Sequence, residues 1–180
     1  MRWLTFLLLA GLALVLQSAI APFVEIFGVR PDWLLVVVVF FSLYARASDA
    51  ALGAWMIGFA ADLMTIERMG LLSLSYLAAA LLVSTIRDYV FCYRAGTQFI
   101  VTAVICFIVH FGWWTYRHVL YDPAGSLFVD FVQHVALSSL YTAVWAPFVH
   151  RFLLMGGRWF GIPRPRYTHT GMNSLVKRSV

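Results

Sequence analysis

Apolar residues run along this chain in six long blocks separated by short polar breaks. This pattern predicts helices, because a half-buried strand would alternate every second residue. The first block, Trp3 to Val24, follows Arg2 and spans 22 residues, within the ~17–25 that cross a bilayer as a helix. Ala19-Ile20-Ala21 has the small-x-small form of a leader cleavage site, but Pro22 would then become the new amino terminus, so a retained first helix is expected. Arg30-Pro31-Asp32 marks the next helix start, with Pro at the first helical position and Asp beside the positive end of the helix dipole. That second span runs to about Ala47, with Arg46 snorkelling to the interface. A third runs from Ser48 or Asp49 to about Ile66. Both are short, which leaves a re-entrant hairpin over residues 31–66 as an alternative. Gly70 to Ile86, Thr97 to Tyr116 and Phe128 to Val149 supply three more spans, divided by turns such as Arg87-Asp88 and Asp122-Pro123-Ala124-Gly125. The expected fold is an all-α polytopic membrane bundle of about six helices. The runs lack the sustained alternation of a membrane barrel.

Composition reinforces the membrane reading. Hydrophobic residues make up 62% of the 180 positions, charged residues 12%, and mean hydropathy is +0.84. Soluble domains hold about 45–50% and 25% respectively. The net charge of +5 does not point to nucleic acid, because the positive excess gathers in the last thirty residues without a stripe of stacking aromatics; anionic lipid is the expected counter-charge. Residues 1–155 are expected to form the transmembrane domain and residues 156–180 a flexible basic cytoplasmic tail, since Pro163-Arg164-Pro165-Arg166 excludes a regular helix. Cys92 and Cys106 follow no metal or redox spacing and read as buried thiols.

Cytoplasmic termini place Arg2, Arg46, Arg87, Arg94, Arg151, Arg158, Arg164, Arg166, Lys177 and Arg178 inside, and Arg30, Arg68 and Arg117 outside. Ten of the thirteen basic residues then obey the positive-inside rule. Without the five charges beyond Arg151 the margin narrows to five against three.

Three sets of polar residues invite a chemical reading. Ala50, Ala54, Gly58 and Asp62 recur every four residues in the third span, so small side chains that admit a neighbouring helix lead to an intramembrane acid. Asp62 is either a proton, ligand or partner contact, or an interfacial residue that caps the following turn or pairs with Arg68. In the sixth span Asp130, His134, Ser138 and Thr142 also recur every four residues and should form one inward polar face, as a proton-relay fragment or as interhelical hydrogen bonds. His110, Trp114 and His118 share a face of the fifth span, where two turns of about 11 Å separate the histidines too widely to chelate one ion. His150 and His169 are expected at a helix end and in the tail, in contact with solvent or headgroups. No nucleophile elbow, metalloprotease motif or phosphate loop occurs, and no extramembrane segment is long enough for a soluble active site. Neither an enzyme nor a cofactor or metal site is expected.

Leu16-Gln17-Ser18 followed by Pro22, then Gly28-Val29-Arg30-Pro31-Asp32, then Gly58-Phe59-Ala60-Ala61-Asp62-Leu63 and Gly70-Leu71, resembles in order and spacing the rod shape-determining protein MreD family. These elements cover about residues 12–88; the remainder is similar in helix count and apolarity, with a longer basic tail. The resemblance implies a non-catalytic bacterial inner-membrane scaffold of the elongation machinery that builds the lateral peptidoglycan wall. Its implied partners are the bitopic protein MreC, the actin-like MreB and cell-wall synthases. Gln17, Pro31, Asp32, Gly58, Asp62 and Gly70 match the family pattern, and with Ala54 they are the candidate packing or partner contacts. A substrate-binding membrane subunit of an energy-coupling-factor transporter has similar size and apolarity. It would need a polar pocket, which Asp62, Asp130, His134 and His110 could line.

Overall fold

The computed structural model describes residues 3–26, 28–64, 70–87, 95–120, 129 and 131–156. Among them are six α-helices: α1 (Trp3–Ala19), α2 (Trp33–Tyr44), α3 (Ala47–Met64), α4 (Leu71–Ile86), α5 (Ala95–Leu120) and α6 (Ser138–Met155). A short 3-10 turn, Ala21–Val24, follows α1, and a π-helical stretch, Val132–Leu137, leads into α6. The only β feature of the described residues is a bridge between Ile26 and Val29. The Asp122-Pro123-Ala124-Gly125 turn, Asp88, Arg68, Asp130, Cys92 and the basic tail lie outside the described residues.

The second helix is the axis of the bundle. Its residues Leu34 to Leu43 are all buried, and it touches each of the other five helices. An all-round apolar sequence has no face for solvent, so a helix such as Leu34-Leu35-Val36-Val37-Val38-Val39-Phe40-Phe41 is stable only when encircled. Phe6 of α1 stands edge-on to Phe41, and Phe40 packs against Tyr44 and His150. The helix begins later and ends earlier than expected from sequence. Asp32 is its N-cap, so Pro31 precedes the helix instead of opening it. It stops at Tyr44, where the Arg87 guanidinium donates to the Ala45 carbonyl and so satisfies one of the acceptors freed at a helix end.

The outer helices form two tightly associated pairs, α3 with α4 and α5 with α6. Within the first, Gly58 lies directly against the α4 backbone: a Cβ there would stand 2.5 Å from Ser73 Cα. Large apolar side chains cover much of the outside, among them Leu4 and Leu8 on α1, Leu74 on α4, Ile100 on α5, and Phe148 and Phe152 on α6. The segment Ala95–Val119 is long and apolar enough to cross a membrane, and Phe6–Ala19, Trp33–Tyr44 and Leu71–Ile86 are shorter apolar helices.

Candidate functional site

Two carboxylates organise the end of the bundle where α1 and α3 finish and α2 and α4 begin. Asp62, with 1% of its surface exposed, sits on the last turn of α3 and faces the start of α4. Its carboxylate accepts from the backbone N–H groups of Gly70 at 3.0 Å, Leu72 at 3.1 Å and Ser73 at 3.0 Å, and from the Ser73 hydroxyl. A helix begins with four N–H groups that lack partners and with partial positive charge. The acid of one helix therefore caps the next. Gly70 occupies the N-cap position with φ +101°, a left-handed conformation that glycine adopts without a Cβ clash. Ala50, Ala54, Gly58 and Asp62 are all buried, and this row of α3 carries both the close approach and the cap.

Asp32 stands at the centre of the second cluster. Its Oδ1 accepts from Leu35 N–H at 3.0 Å, closing the N-terminus of α2. The next two donors of α2 find partners on other helices: Asp32 N–H donates to Thr142 Oγ1 of α6 at 3.0 Å, and Trp33 N–H donates to Gln17 Oε1 of α1 at 2.9 Å. Tyr76 of α4 donates its hydroxyl to Asp32, 3.1 Å from Oδ2. His110 of α5 places Nε2 3.8 Å from the same oxygen. Five helices thus meet through polar side chains at one helix start.

The orientation of His110 follows from its other neighbour. Ser139 donates its hydroxyl proton to the Val135 carbonyl at 2.6 Å. Its oxygen then accepts from His110 Nδ1, 3.1 Å away, so that in a neutral ring the proton sits on Nδ1 and Nε2 is left an acceptor. In that tautomer two acceptors, Asp32 Oδ2 and His110 Nε2, face each other 3.8 Å apart. They border a cavity of about 370 Å³ lined also by Gln17, Ser18, Tyr76 and Trp113, with Leu14, Leu34, Ala61, Met64, Leu72 and Val109 as its apolar wall.

The sequence-predicted polar face of the sixth span is not a single face. Thr142 is buried on Asp32 N–H, but His134 is exposed and Ser138 only partly buried; Asp130 lies outside the described residues. The π-helical stretch explains the difference, because each π turn adds a residue and rotates what precedes it out of the α-helical register. Of the residues that the transporter alternative requires, His110 lines the cavity, whereas Asp62 faces the α4 terminus. His150 also departs from expectation. It is fully buried, with Nε2 donating to the Val36 carbonyl at 3.3 Å, because α6 continues past it to Met155. Trp114 and His118 stack on each other at 5.2 Å. Among the described residues no group of three or more His, Cys, Asp or Glu is placed to hold a metal ion.

Tyr76 and Ser139 belong to the cluster and carry no sequence signal of their own. A hydroxyl within an otherwise apolar run is the one available hint, since a buried phenol usually needs a partner.

A helical bundle with an apolar exterior, a buried central helix and acids fixed on helix starts is the architecture of a small membrane protein. The chain belongs to the MreD family: the model of the rod shape-determining protein MreD matches residues 1–155. Members are membrane proteins with a role in rod-shape determination. Comparisons with curated proteins and with solved structures find no match.

Proposed function

We propose that the chain is a non-catalytic inner-membrane scaffold of the cell-elongation machinery, which acts by holding MreC-like, MreB-like and cell-wall synthase proteins together. The family match over residues 1–155 carries this reading. In it all six helices cross the membrane and both termini are cytoplasmic. At about 1.5 Å per residue, the 12 residues of α2 rise only about 18 Å against a hydrocarbon core of about 30 Å, so other helices must shield its ends from lipid. The Asp32 cluster and the Arg87–Ala45 contact supply polar partners there. The apolar outer surfaces, including a cleft between α1 and α6 lined by Leu12, Trp33, Trp145 and Phe148, are then available to lipid and to the membrane segments of partners.

The test is conditional depletion in the native rod-shaped cell. Loss of rod shape, restored by this chain supplied in trans, is the expected result; unchanged width and length would refute the role. The cavity beside Asp32 favours the second reading, a transporter's substrate-binding subunit, which requires a vitamin or metal to raise the melting temperature by an amount that grows with its concentration.

A further inference from the structure

We propose that the cavity between α1, α2, α3, α4 and α5 binds a primary ammonium group carried on an aliphatic body, with the nitrogen lying beside Asp32 and His110 and donating to both. Three observations carry it. The first is the pair of facing acceptors: Asp32 Oδ2 and His110 Nε2 stand 3.8 Å apart with no donor between them in the neutral ring. An ammonium nitrogen, with three donors and no acceptor, can donate to both at once. The second is charge. Among the described residues His110 is the only basic side chain within ion-pair reach of Asp32, since the neighbouring Arg30 pairs with Glu25. The Asp32 and His110 side chains each keep 17% of their surface exposed while lining the cavity. An anionic guest would meet this carboxylate unfavourably, whereas a cation gains from it and from the rings of Tyr76 and Trp113.

The third observation is the apolar remainder of the wall. A cavity of about 370 Å³ with a few convergent polar groups and a mainly aliphatic lining fits a small polar head with hydrocarbon attached. Met64, at the rim of this lining, is 64% exposed, and Leu63 beside it is 57% exposed, so the site opens beside an apolar outer surface. The guest chemistry is shared by an aminophospholipid headgroup and a free alkylamine. This assignment is independent of the shape role and stands or falls separately from it.

The test uses the full-length protein, delipidated in mild detergent, and follows lipid retention by native mass spectrometry and the melting temperature. The probes are dioleoyl phosphatidylethanolamine, the phosphatidylglycerol and phosphatidylcholine of the same acyl chains, and n-butylamine. The primary-amine lipid should be retained about tenfold or more over both others, a difference of about 1.4 kcal/mol. Asp32→Asn should abolish the preference while keeping a cap, because asparagine caps a helix about as well as aspartate. Ala61→Leu, which enlarges a residue of the cavity wall, should also abolish it and serves if Asp32→Asn does not fold. Gly11→Ala, on α1 where an added Cβ meets nothing within 4 Å, should leave the preference intact. Displacement of the lipid by n-butylamine would identify free amines as competent guests, and its absence would restrict the site to the lipid; both support the ammonium site. Equal retention of all three headgroups with no effect of n-butylamine would overturn it, as would an undiminished preference in Asp32→Asn.

Discussion

Asp62 and Ser73 are joined twice, the carboxylate of one helix accepting both the backbone N–H and the hydroxyl of a residue in the first turn of the next. With the Gly70 and Leu72 amides on the same carboxylate, four donors depend on one side chain. Removing it should leave buried donors unsatisfied, a loss of about 1–3 kcal/mol for such groups. Asp62→Ala is expected to lower stability by about 3 kcal/mol, and Asp62→Asn, which keeps one acceptor oxygen, by about half that. Unfolding in mixed detergent micelles checks the order, and equal stability of the three proteins would show that the cap contributes nothing.

The α3–α4 contact predicts a graded series of glycine substitutions. At Gly58 an added Cβ meets the Ser73 backbone at 2.5 Å, whereas at Gly53 it meets the Phe6 ring tip at 2.8 Å, and at Gly11 and Gly112 it meets nothing within 4 Å. Backbone cannot swing away as a side chain does. Gly58→Ala should therefore cost about 2–3 kcal/mol by overpacking, Gly53→Ala less, and Gly11→Ala should be neutral or gain up to about 1 kcal/mol of helix propensity. Melting temperatures of the purified variants test the ranking. Gly58→Leu should abolish folding or partner association altogether.

These two features were legible in the sequence to different degrees. The spacing of Ala50, Ala54, Gly58 and Asp62 shows a close-packing face, because helical period and side-chain size suffice to reveal it. That Asp62 satisfies α4 needed the structure, since the pattern also allowed a pairing with Arg68. The Asp32 cluster was further from reach: Tyr76 lies 44 residues from Asp32 and Thr142 lies 110 residues away, and no local pattern links helices so distant. The sixth span misled for a definite reason, as a constant four-residue step assumes α-helical register and Val132–Leu137 does not keep it.

Thr142 and Tyr76 should behave as interhelical ties, not as independent core residues. Thr142→Val removes the acceptor of a helix-start amide and should cost about 1–2 kcal/mol, and Tyr76→Phe removes the phenol from Asp32 at about 1 kcal/mol. Both contacts converge on Asp32, so the double variant should lose less than, or more than, the sum of the singles by over about 0.5 kcal/mol. Strict additivity in a double-mutant cycle would show that the cluster is not one unit.

The orientation is open to a direct assay. A phosphatase fused after Lys177 should be inactive, and a reporter that works only in the cytoplasm should be bright there, because most basic residues then lie inside. The opposite pattern would reverse the topology.

The scaffold account is tested most directly by purifying the tagged full-length chain from its own cells in mild detergent and identifying what accompanies it by mass spectrometry. Co-enrichment of MreC-like, MreB-like or cell-wall synthase chains, lost in Gly58→Leu, is the result the account predicts. Enrichment instead of a transmembrane coupling subunit with paired ATPases would contradict it and identify the chain as the substrate-binding part of a transporter.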